Sequence, residues 1–183
     1  MSSLFSNRAG DDEDAIRAYV KGLTDLTAGE EPLDVLARLG ANMRAAIAGL
    51  TDVQLRRPES DGKWSMRDVV RHLADAELVL AFRYRMILAH ERPPIAAYDQ
   101  DLWVAKLERD DDTETIVSDL EAVRSINLRL LRVQKPEAWE RVGLHAERGE
   151  ESLALLVRMA AGHDVVHTRQ LARIRKVIET TSK

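Results

Sequence analysis

Cysteine is absent from the 183 residues. That excludes disulfides, thiolate metal sites and a cysteine nucleophile. Any metal must be held by nitrogen and oxygen, and any thiol chemistry must use a thiol from solution. A basic excess is also missing: 27 Lys and Arg stand against 31 Asp and Glu, for a net charge of −4. The electrostatic footprint of a nucleic-acid binder is therefore lacking. No apolar run approaches the roughly 20 residues of a membrane span. The stretch Met1 to Asp14 is polar and acidic, without the apolar core of a signal peptide. A cytoplasmic protein with no membrane partner is expected. Glycine is missing from Lys63 to Val142, and only five prolines punctuate the chain.

What is present suits helices. Hydrophobic residues make up 45% and charged residues 32%, enough for one core under a wet surface. Apolar residues recur with a period near 3.6, and no convincing alternation of two appears. The pattern predicts an all-α four-helix bundle with a short extra N-terminal helix, from about Asp12 to Leu26. The main helices are expected at Pro32–Leu50, Ser65–His90, Asp112–Gln134 and Glu150–Ile178. Ser65 with Asp68 reads as a capping pair, and the acids Asp110–Asp112 as a solvated helix start. We divide the chain into an N-terminal segment, 1–30, and a bundle domain, 31–180. The long connections Thr51–Trp64 and Glu91–Asp112 can cross the ends of a bundle.

The informative residues are polar ones on apolar stripes. His163 and His167 are four apart, so they stand one turn above the other, about 40° apart on the helix. Asp164 lies near the same face. His72 sits on the edge of the second main helix's stripe. Two imidazoles from one helix and one from a neighbour make a three-nitrogen site with open positions, as in catalytic zinc. An isolated H-x-x-x-H, however, also occurs among satisfied core histidines, and spacing alone leaves both open. Glu77 falls within the second helix's apolar stripe, about 140° from His72. A buried carboxylate needs a partner, and Arg124 or Asn127 is expected to supply it. The alternative makes Glu77 or Asp164 a proton handler beside the metal. Gln170 lies near the His167 face, Gly162 suits close helix approach, and His145 is expected in a solvated loop.

Several stretches resemble the DinB-like superfamily. They are Gly62-Lys63-Trp64-Ser65, then Val70-Arg71-His72-Leu73-Ala74-Asp75-Ala76-Glu77, and the closing Gly162-His163-Asp164-Val165-Val166-His167-Thr168-Arg169-Gln170-Leu171. The pattern Trp139-Glu140-Arg141, Gly143-Leu144-His145, Gly149 and Ser152-Leu153 is similar too. The resemblance runs from about Leu33 to Ile178. It implies an up-down-down-up four-helix bundle and a divalent metal, zinc or nickel, on His72, His163 and His167. Relatives include transferases that use bacillithiol, mycothiol or glutathione, and others called metal-dependent hydrolases. Three functions follow as expectations. The first is a metal-dependent transferase acting with a low-molecular-weight thiol and a small-molecule substrate. The second is a metal-dependent hydrolase. The third is a non-catalytic bundle whose metal stabilises the fold or a homodimer, or which only binds a small molecule.

Overall fold

The computed structural model describes residues 12–107 and 110–181. Helix α1, Glu13–Asp25, is capped by the Asp12 side chain. The first long helix is split into α2, Pro32–Ala37, and α3, Leu39–Ile47. A short α4, Asp52–Leu55, leads to α5, Met66–Ala89. Strand β1, Pro94–Ile95, and α6, Gln100–Lys106, lie in the connection to α7, Thr113–Arg132. After α8, Pro136–Trp139, come β2, Val142–His145, and β3, Gly149–Ser152. The long α9, Leu153–Thr181, closes the described chain.

The bundle consists of α2 with α3, α5, α7 and α9. Its directions follow from two apolar clusters at its ends. One gathers Val35 and Leu36 with Tyr84, Ile87, Leu131, Leu153 and Leu156. The other gathers Met43 and Ile47 with Met66, Val69, Ile116, Leu171 and Ile174. Helix pair α2–α3 and α9 therefore run from the first cluster to the second, and α5 and α7 run the opposite way. This is the expected up-down-down-up order. Since α5 and α7 are parallel neighbours, the chain between them must travel back along the bundle, which is why that connection is long.

The helix starts are set by local chemistry. Ser65 and Asp68 form a reciprocal capping box at α5, and Asp112 caps α7 by accepting from Thr115 N–H at 2.8 Å. Three details differ from the sequence expectation. First, the helix from Pro32 to Leu50 breaks at Arg38. The Leu36 carbonyl next to the break is drawn instead to the buried Arg124 guanidinium at 2.9 Å. Second, a small sheet of order β1-β2-β3 exists, β1 parallel to β2 and β2 antiparallel to β3. Its strands have two to four residues, too short for a period of two to stand out. Third, Glu150 and Glu151 lie in β3 rather than starting the last helix, and Gly149 turns the hairpin at φ 74°. Helix α1 lies against α9 at Gly162, where a Cβ would fall 2.1 Å from the Leu23 carbonyl oxygen. Among the described residues, no helix is long and apolar enough to cross a membrane.

Candidate metal centre

The three histidines meet between the two apolar clusters. His72 stands two turns into α5, 1% exposed, with the Trp64 ring 5.0 Å from its own. The α9 pair faces it: ring centroids lie 5.1 Å away for His163 and 4.7 Å for His167. His72 Nε2 and His163 Nε2 are 3.1 Å apart. Two ring nitrogens that close either share one proton or share one ion. Tetrahedral zinc with bonds of about 2.0–2.1 Å puts its ligands about 3.3 Å apart. Among the described residues this is the one group of three or more His, Asp or Glu side chains whose ligand atoms converge, all within 4.8 Å.

The protonation states suit metal binding. Burial, then the neighbouring imidazoles, hold His72 well below its ordinary pKa. Burial and then Arg124 bring His163 down to about 4. Burial and then His163 bring His167 down to about 3, against a smaller raising effect of Gln170. All three are neutral at pH 7, the form that ligates. His167 Nδ1 lies 2.8 Å from Gln170 Oε1. An amide oxygen only accepts, so Nδ1 carries the proton and Nε2 keeps its lone pair for an ion. The donor set, three neutral nitrogens without sulfur, fits a divalent metal such as zinc or nickel.

Behind the triad lies a second polar cluster. Arg124 of α7 donates to Glu77 Oε2 through Nε at 2.9 Å, and its Nη2 lies 2.8 Å from the same oxygen in an ion pair. It donates to Asp164 Oδ2 through Nη1 at 2.6 Å, with Asp164 Oδ1 3.4 Å from Nη2. Asn127 Nδ2 donates to the other Glu77 oxygen at 2.7 Å, and Arg85 donates to Asn127 Oδ1 at 2.9 Å. The expected partners of Glu77 are thus both present. Glu77 and Asp164, the two candidate proton handlers, are tied to one guanidinium that joins α2, α5, α7 and α9.

A cavity of about 80 Å³ opens on the other side, with His163 in its wall. Beside His163 its polar lining is Arg83, Arg148, Gln100, Tyr19 and Tyr98, and Leu80 and Met159 are among its apolar lining. Sequence reasoning missed Arg83. The signal was available: it sits three residues after Leu80 and four before Ile87, on the inner stripe of α5. The expectation for His145 is corrected. It ends β2, where strand alternation points it inward, and it is 3% exposed beside Arg83. Trp64 packs on the core at the start of α5, Trp103 stacks near Tyr98 at 4.8 Å, and His90 is an exposed cap of α5.

Comparison with known proteins agrees with this architecture. The model of the DinB superfamily matches residues 36–171. YfiT of Bacillus subtilis is 30% identical over 148 residues, which span 77% of this chain and 82% of that protein. A relative from Oceanobacillus iheyensis is 29% identical over 140 residues, 74% and 77% of the two chains. Both are named, provisionally, as metal-dependent hydrolases. The solved structure of YfiT superposes with a TM-score of 0.73 at 26% identity, covering 82% of this chain and 86% of that one. It is described as a probable metal-dependent hydrolase with an unusual four-helix bundle topology.

Proposed function

The chain belongs to the DinB superfamily, and from that premise we propose that it is a metal-dependent transferase acting in the cytoplasm. It holds one divalent ion, zinc or nickel, with His72, His163 and His167, and joins a low-molecular-weight thiol to an electrophilic small molecule. The observation that carries this is the triad itself: three neutral imidazoles converge with no acid among them, and one of them, His163, also lines a cavity. A divalent ion bound there would supply Lewis acidity and lower the pKa of a group presented to its remaining position.

The protein's own residues supply the rest. Gln170 fixes the tautomer of His167, and Trp64 packs against His72. Arg124 engages both nearby carboxylates, so their oxygens are committed to the guanidinium rather than turned to a group at the metal. Thiol transfer tolerates that, since an acidified thiol ionises without a base. The chain has no cysteine, so the thiol comes from solution. In the transfer, sulfur forms a bond to the electrophilic carbon. The leaving group departs with its electron pair, and the thiol proton goes to solvent.

The names of the relatives favour hydrolysis as a second reading. In it Asp164 Oδ1, the carboxylate oxygen held least closely by Arg124, accepts the proton from water.

Elemental analysis of untagged protein tests the site. One equivalent of metal is expected, falling to near zero in His72→Ala and His163→Ala. Full occupancy retained in both variants would overturn the assignment. Activity is then divided by substrate. Consumption of bacillithiol, mycothiol or glutathione with an aryl halide supports transfer. Background rates with all three, alongside metal-dependent cleavage of a nitrophenyl ester, would replace it with hydrolysis.

A further inference from the structure

The cavity beside the triad carries a surplus of hydrogen-bond donors. Arg83 enters it from α5, and its side chain lies in the buried wall, 7% exposed. Arg83 Nη2 donates to the Ala96 carbonyl at 2.6 Å, while Nε is buried with no partner. A buried guanidinium nitrogen left unbonded is costly, more so than a neutral one. His145 adds a second, independent sign. Its Nδ1 faces the Glu147 N–H at 3.2 Å, and its Nε2 faces Arg83 Nη2 at 3.4 Å. A neutral imidazole has one acceptor nitrogen, so it cannot satisfy both donors. It is neutral at pH 7, since burial and then Arg148 and Arg83 bring it down to about 3. The guanidinium thus has hydrogen-bonding capacity in the cavity wall that its protein neighbours do not use up.

The charge account points the same way. Arg148 is bonded to Glu151, and both side chains are buried. Among the described residues Arg83 forms no ion pair of its own, although the buried Asp75 acts with it on Tyr98 in the same wall. The remaining lining is suited to an apolar body: Leu80, Leu156 and Met159, with the Tyr19 and Tyr98 rings. Tyr19 and Leu23 come from α1, which lies before the residues matched by the superfamily model. Gly162 admits the Leu23 backbone at that point, so this chain's own N-terminal helix closes the cavity.

We propose that this cavity, which His163 of the metal site also lines, seats the carboxylate of a small monoanionic substrate, with Arg83 as its counter-charge. This rests on the reading of the triad as a reaction centre and specifies the electrophile as a small acid with an apolar or aromatic body. One guanidinium without an ion pair of its own matches a singly charged carboxylate better than a doubly charged phosphate.

Calorimetric titration of the zinc-loaded full chain tests this with benzoate, benzamide and phenyl phosphate at one ionic strength. Benzoate is expected to bind at millimolar concentration or below, at least about tenfold tighter than benzamide. Arg83→Met should weaken benzoate by about tenfold or more and leave benzamide unchanged, and Arg83→Lys should restore part of the difference. Equal binding of acid and amide by the unmodified protein would overturn the proposal without recourse to any variant. So would an unchanged benzoate affinity in a folded Arg83→Met protein, or tighter binding of phenyl phosphate than of benzoate. Binding is read without turnover. Its failure would leave the metal site and thiol transfer standing, and a failed thiol assay would leave the acid site standing.

Discussion

Two polar clusters lie side by side inside this bundle, and their hydrogen-bond accounts differ. Around Arg124 every strong donor meets an acceptor: two carboxylates, one carbonyl and one amide close the network. Around His72, His163 and His167 three imidazoles face one another with their ligand atoms within 4.8 Å and no acid among them. Both clusters cost burial of polar groups. In the first, partners within the chain offset part of that cost, which is how a polar cluster serves structure. The second gathers like donors instead of opposite partners, which is how a site serves a ligand. The same test separates Arg148, paired with Glu151, from Arg83, whose Nε has no partner.

The largest effect is expected where the account is closed. Arg124→Met strands Glu77 and Asp164 without their shared cation and should cost about 3–5 kcal/mol in urea denaturation. The loss should appear in metal-free and metal-loaded protein alike. A cost under about 1 kcal/mol would mean that the network is not what holds the four bundle elements together.

Acid should pull the two clusters in opposite directions. The histidines have folded pKa values lowered to about 4 and 3, with His72 well below its ordinary value. A lowered histidine contributes stability that is present above its unfolded pKa, near 6.5, and is lost as pH falls toward the folded value. Each such group contributes up to about 1.4 kcal/mol per pH unit in that window. Glu77 and Asp164 are raised by burial, against the opposing charge of Arg124. A raised carboxylate has the opposite sign: it costs stability at neutral pH and gives it back as pH falls through its folded value. Metal-free protein should therefore lose stability between pH 6.5 and 4, and His163→Ala should lose it with a shallower slope. Equal slopes would show that the triad does not control the acid limb.

How much of this could be read beforehand follows from the same physics. His163 and His167 were legible because helical spacing fixes their common face, and Glu77 because a carboxylate on an apolar stripe demands a partner. The bundle order came with the superfamily resemblance rather than from periodicity. The break at Arg38 was illegible, since nothing local calls for it. It accompanies a contact from Arg124, nearly ninety positions away in the chain. The hairpin carrying His145 was missed because four-residue strands give too few alternations to register, so a buried histidine passed for a loop residue. Arg83 was visible as an arginine on an inner stripe, but its missing partner is a property of the folded cavity alone.

A middling effect is expected from Gln170, which touches the triad only through His167 Nδ1. Gln170→Ala should weaken zinc binding by about tenfold to a hundredfold, as loss of a partner behind a ligand commonly does. Competition with a chelator reads this, and stability of the metal-free protein should hardly move. A zinc affinity unchanged in Gln170→Ala would mean that His167 is oriented by packing instead.

The smallest effect is the most discriminating. His163→Ala should abolish metal binding yet change the metal-free stability by no more than about 1 kcal/mol. The reason is the open account. His163 is only partly buried, lines the cavity, and its one close hydrogen-bonding contact is another imidazole that has no other acceptor to lose. Truncation removes a crowded nitrogen without stranding a charge, whereas Arg124→Met strands two. If His163→Ala instead destabilised the metal-free fold by as much as Arg124→Met, the triad would be a structural element like its neighbour. The distinction between a closed and an open polar cluster would then fail for this bundle.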